Sequence, residues 1–132
     1  MPTAPASLPA PPDRLYHFTC AHGHRKIGRY NCLLIPQGPH PLLNNIRIIW
    51  LTTLADPDKE TTGLGQVHTT CNRMAFRYIV TDLHLCRPWL SSPERKEAPA
   101  PSVEVLESYG DPEHWWITSG VPAQFDRARC LA

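Results

Sequence analysis

Apolar, β-branched and aromatic residues crowd into four short runs along this chain, separated by polar and proline-rich stretches. Such runs form strands because their side chains pack well on a pleated, half-buried surface. Leu15-Tyr16-His17-Phe18-Thr19 reads as the first strand. Residues 46–52 (IRIIWLT), preceded by Asn44-Asn45, carry the strongest strand pattern. Residues 75–80 (AFRYIV) form a third, and residues 114–118 (HWWIT) a fourth, bounded by Asp111-Pro112 and by Gly120. Helical periodicity is weaker. Residues 22–31 predict a helix of two to three turns with Ile27 facing inward, although Gly23 and Gly28 disfavour it. Ser102 is placed to cap a helix over residues 103–109, where Val103 and Leu106 share a face and Gly110 ends it. The pattern predicts a small α+β domain with mostly antiparallel strands.

Two segments fall outside this pattern. The first twelve residues hold five prolines, so residues 1–13 are expected to form an extended tail. Residues 91–102 (SSPERKEAPAPS) hold three prolines and four charged side chains, and predict an exposed excursion within the domain. The domain then runs from residue 14 to 127, followed by a short tail at 128–132. At 132 residues the chain has room for one core and not two.

Composition narrows the function. Thirteen basic and 12 acidic residues leave a net charge of +1, which excludes a strongly basic nucleic-acid scaffold but leaves room for a local basic groove. A hydrophobic content of 42% excludes a wholly disordered chain. No apolar run approaches the length of a membrane span, and Met1–Pro12 lacks the pattern of a signal peptide. The five cysteines are odd in number and irregular in spacing, so reduced thiols in a cytoplasmic protein are expected.

Candidate chemistry sits on or beside the strands. Side chains alternate along a strand, so His17 and Thr19 share a face and suit the hydroxyls of a ribose. Thr52 ends its strand and can place a hydroxyl at the mouth of a cleft. Arg73 can reach a diphosphate, since a guanidinium binds phosphate oxygens in pairs. Arg77 alternates with Phe76 and Tyr78, so it faces solvent or a cleft where those two face the core. Glu113, beside His114 and two tryptophans, can stabilise a developing cation or accept a proton. Cys20, His22, His24 and Cys32 are zinc-ligand types, but their spacing matches no common finger, so no metal site is predicted and a Cys/His metal domain stands only as a third option. Dinucleotide-binding glycine fingerprints, phosphate loops and nucleophile elbows are absent from the sequence.

The order of these segments resembles the ADP-ribosyltransferase superfamily. Tyr16-His17-Phe18-Thr19 is similar to the opening strand of toxins that ADP-ribosylate thymidine in DNA, and to the Tyr-His-Gly-Thr strand of poly(ADP-ribose) polymerases and RNA 2′-phosphotransferases. Ile49-Trp50-Leu51-Thr52 resembles the second strand of the phosphotransferases. Glu113 followed by an apolar strand and Val121-Pro122 resembles the last strand of the DNA-modifying group. The opening YHFTC is also similar to a set of small actinobacterial and phage proteins. The resemblance implies split antiparallel β-sheets with short helices that bind NAD and pass its ADP-ribose to a macromolecular acceptor, nucleic acid or protein. It implies that His17 bonds the adenosine ribose, that the backbone of Phe18 holds the nicotinamide carboxamide, and that Thr19 supports this strand. Thr52 is implied under the nicotinamide ribose and Arg73 on the phosphates. The catalytic position falls on Glu113 or, one residue later, on His114. A histidine there leaves NAD binding, or a 2′-phosphotransferase-like reaction, as the alternative. A second alternative keeps the fold without the chemistry, as an interaction module marked by exposed Trp89, Trp115 or Trp116. The reading rests on His17, Thr52 and Glu113 converging on one cleft, and replacing His17 or Glu113, each expected to line that cleft and not the core, should leave the fold intact.

Overall fold

Each of the four apolar runs becomes a strand in the computed structural model, which describes residues 12–20, 23–25, 27, 32–34, 47–57 and 74–126. They are β1 (Leu15–Thr19), β3 (Ile49–Thr52), β4 (Phe76–Val80) and β6 (Trp115–Thr118). Four shorter strands join them: β2 (Cys32–Leu34), β5 (Cys86–Pro88), β7 (Gly120–Pro122) and β8 (Gln124–Phe125). Six strands form one sheet in the order β5-β6-β3-β1-β4-β8, and β2 pairs with β7 in a second, two-stranded sheet. All of these pairings are antiparallel. With its few short helices the protein is α+β.

Strand alternation sorts side chains onto the two faces of the large sheet. One face carries Leu15, Ile49, Leu51, Phe76, Tyr78 and Val80, and the small sheet covers it with Leu33 and Val121. Ile27, from a helical stretch at residues 23–25 and 27, is buried in the same cluster, as its inward placement predicted. The other face carries Trp115 and Ile117, packed with Trp89, Ala98 and Val103. Trp50 lies between Trp89 and Trp115, its ring centroid 4.9 Å from the first and 5.5 Å from the second. Tilted and edge-on aromatic pairs of this kind add to the gain from burial.

The helices lie where an exposed excursion was expected. Residues 91–102 hold α1 (Pro93–Glu97) and the first turn of α2 (Ala100–Glu107), and Ser92 and Ala98 are buried. Proline 93 suits the first helical position, and the Ser92 hydroxyl accepts the Arg95 N–H at 3.1 Å. Salt bridges dock the pair: Arg87 to Glu94, and Arg95 to Glu107 through two bonds of 3.0 and 2.9 Å. Ser102 lies inside α2 and does not cap it; Pro99 holds that position, and the helix ends at Glu107 before Gly110. His114 closes a short 3-10 turn (Pro112–His114), so the last long strand begins one residue later than the sequence pattern suggests. Among the described residues no helix is long and apolar enough to cross a membrane.

Candidate functional site

The strands that carry the three sequence motifs, far apart along the chain, are neighbours in the order β1-β3-β6. Register decides which groups meet. Thr53 N–H donates to the His114 carbonyl at 3.0 Å, continuing the ladder in which Thr52 faces Trp115. The backbone groups of residues 49, 51 and 53 therefore face β6, and those of Trp50 and Thr52 face β1. Tyr16 is the Cα partner of Thr52, so the amides of Tyr16 and Phe18 face β3, while those of Leu15, His17 and Thr19 face β4.

Among the described residues, the β1–β3 register consists of that one pair. One step along, the Trp50 carbonyl accepts a hydrogen bond from His17 Nδ1 at 2.9 Å. An imidazole thus bonds this carbonyl where a strand-to-strand bond would lie, which leaves a split in the ladder between Phe18 and Trp50. The N–H and C=O of Phe18 are turned toward this split, whereas its side chain is buried.

At the end of β3, on the far side of the Tyr16–Thr52 pair from Phe18 and Trp50, lies a polar cluster. Thr53 Oγ1 and His114 Nδ1 are 2.9 Å apart, and His114 Nε2 lies 3.8 Å from Glu113 Oε1. The Glu113 side chain is 68% exposed and that of His114 34%. Ligand atoms of Asp111, Glu113 and His114 lie within 4.8 Å of one another, close enough to hold a cation, although Asp111 and Glu113 are exposed.

The structure separates two residues that the sequence brought together. Tyr16 and Thr52 share a face, so Thr52 points away from His17. The Thr52 hydroxyl accepts the Leu54 N–H at 3.1 Å and the residue is 5% exposed, which makes it the brace of a strand-end turn. By the same alternation Thr53 and His114 stand on the face of His17. The hydroxyl of the cluster is thus the next residue along, which alternation alone could not pick out without the register. Thr19 lies against the helical stretch, because a Cβ placed on Gly23 would come 2.0 Å from its Oγ1. Arg77 is not in a cleft: it bonds Asp126 and the Ala55 carbonyl and lies over the Tyr16 ring, 5.1 Å from its centroid. Arg73 and His22 lie outside the described residues.

Other reactive groups are occupied in packing. Burial pushes the Cys86 thiol above its usual value, against the opposing bond from Thr118, so it is a poor nucleophile. His24 stacks on Phe76 with ring centroids 4.1 Å apart, and its Nδ1 meets the Tyr78 hydroxyl at 2.6 Å. Burial also raises the Tyr78 phenol. Trp89 and Trp115 are core residues and Trp116 is half-buried, so none of them forms an exposed patch. No family model, no curated protein and no solved structure matches this chain.

Proposed function

We propose that this domain binds NAD at the split between β1 and β3 and transfers its ADP-ribose to a nucleic-acid or protein acceptor. The observation that carries the reading is the break in the β1–β3 ladder at Phe18 and Trp50, with the Glu113–His114 cluster at the other end of the same strand pair. The N–H and C=O of Phe18, which face β3 at this break, offer one donor and one acceptor, the complement of a carboxamide. In the reaction the bond between ribose C1′ and the nicotinamide nitrogen breaks, and its electron pair leaves with neutral nicotinamide. Positive charge spreads over C1′ and the ring oxygen, and the carboxylate of Glu113 stabilises it electrostatically. The acceptor then bonds to C1′.

Glu113→Gln is the informative variant, because an exposed side chain can lose its charge without disturbing the core. His17→Ala is a poorer probe, since it strips the donor from the Trp50 carbonyl and perturbs the split itself. Nicotinamide release from NAD should fall by about 10²–10³ in Glu113→Gln, with NAD affinity nearly unchanged. Calorimetry showing no NAD binding by the wild-type protein, together with no nicotinamide release, would overturn the proposal.

A further inference from the structure

We propose that Thr53 is a positioning residue that fixes His114 as the proton acceptor for the incoming nucleophile. The proposal rests on the transferase reading above and deepens it by naming an acceptor class. Thr53 Oγ1 and His114 Nδ1 are in hydrogen-bond contact at 2.9 Å, across the last rung of the β3–β6 ladder. A backbone bond on the same residue pair, Thr53 N–H to the His114 carbonyl at 3.0 Å, holds both ends of the contact in place.

When Nδ1–H donates to the threonine oxygen, the ring proton is fixed on Nδ1 and the lone pair stays on Nε2. That nitrogen lies toward Glu113, whose Oε1 is 3.8 Å away. A group placed to take a proton thus stands next to the carboxylate assigned to the ribosyl cation. As the new bond to C1′ forms, the proton of the attacking oxygen or nitrogen passes to Nε2. The imidazolium that results faces the Glu113 carboxylate, while the pair of the broken C1′–nitrogen bond has left with nicotinamide. An acceptor served by such a base carries a proton to lose. The class is therefore a hydroxyl or a neutral ring N–H, and excludes carboxylates and phosphates, which arrive already ionised.

The test uses two nucleophiles against NAD: water, which must shed a proton, and azide, which has none. With water, Thr53→Val should lower kcat for nicotinamide release by about 10²-fold, the usual size of a general-base contribution, with KM for NAD unchanged. Thr53→Ser, which keeps the oxygen, should restore most of the rate. Azide should bring Thr53→Val close to the wild-type rate. His114→Gln should behave like Thr53→Val, and the double variant should be no slower than His114→Gln alone. His114 is partly exposed, so this second variant keeps the test decisive if Thr53→Val melts early. Equal losses with water and azide would mean a structural role only and would overturn the assignment. A wild type that turns over NAD while Thr53→Val and His114→Gln keep full rate would overturn the Thr53 role and leave the transferase reading standing. A wild type that releases no nicotinamide with either nucleophile would overturn both.

Discussion

Gly23 shows how a single missing carbon shapes the first half of the domain. A Cβ there would sit 2.0 Å from Thr19 Oγ1 and 3.2 Å from Thr19 Cβ. Thr19 is β-branched and anchored in β1, so it has little freedom to move aside. Glycine is ordinarily a weak helix former, and here it is retained because the helical stretch must lie directly on the strand. Gly23→Ala is expected to destabilise the protein by about 1–3 kcal/mol, the usual cost of overpacking, in spite of alanine's better helix propensity. Chemical denaturation should show the loss, and adding Thr19→Ala should recover much of it. Full stability in the single variant would mean that the strand and the helical stretch are not in close contact.

At the scale of elements, α1 and α2 are held to the sheet by charge as well as by Trp89 and Val103. A hydrogen bond from Arg87 holds the Glu94 carboxyl below its ordinary value, against the opposing effect of burial. One from Arg95 does the same for Glu107, whose carboxylate also receives the Trp89 indole N–H at 3.3 Å. A carboxyl depressed in the folded state stabilises it above the unfolded-state value, near 4.5, and that gain is lost as pH falls through the depressed folded value. The melting temperature should therefore decline below about pH 4.5, and Glu107→Gln should flatten the decline while lowering stability at neutral pH. A pH series of thermal melts, followed by tryptophan fluorescence, measures both. These helices were hidden in the sequence for a physical reason. Residues 93–97 present no apolar stripe, and their prolines and charges read equally well as loop. The start signal was present in Ser92-Pro93, a cap followed by a first-turn proline, but the anchors that make it a helix, Ser92 and Ala98, are small. The long strands were legible because Ile49, Leu51, Phe76, Tyr78 and Ile117 are large and regularly spaced. Strands of two or three residues such as β5 and β8 are too short to show a period. The polar cluster was half legible: Glu113 and His114 stood out by residue type, whereas Thr53 could be told from Thr52 only by the β1–β3 register.

Across the whole molecule, Arg77 joins parts that the sheet alone leaves apart. From β4 it reaches Asp126 beyond β8, through Nε at 2.9 Å, and the Ala55 carbonyl beyond β3. The Arg77 and Asp126 side chains are only 13% and 12% exposed, so removing Asp126 takes the closest counter-charge from a poorly hydrated guanidinium, which keeps Asp56 at 3.6 Å. Asp126→Ala is expected to cost about 1–3 kcal/mol in urea denaturation, and Arg77→Met with Asp126→Ala together should cost less than the sum of the two. Additive losses would mean that the pair is not coupled.

The strand order also governs how the protein can be made. β1 leaves the ribosome early, yet its neighbours β3 and β4 follow much later, and β6, which covers the other edge of β3, later still. Until β6 emerges, a nascent chain presents Ile49–Thr52 as an apolar strand with one edge open to any other extended polypeptide. Synthesis stalled at residue 110 should therefore yield an aggregating, chaperone-dependent fragment rather than a smaller folded unit.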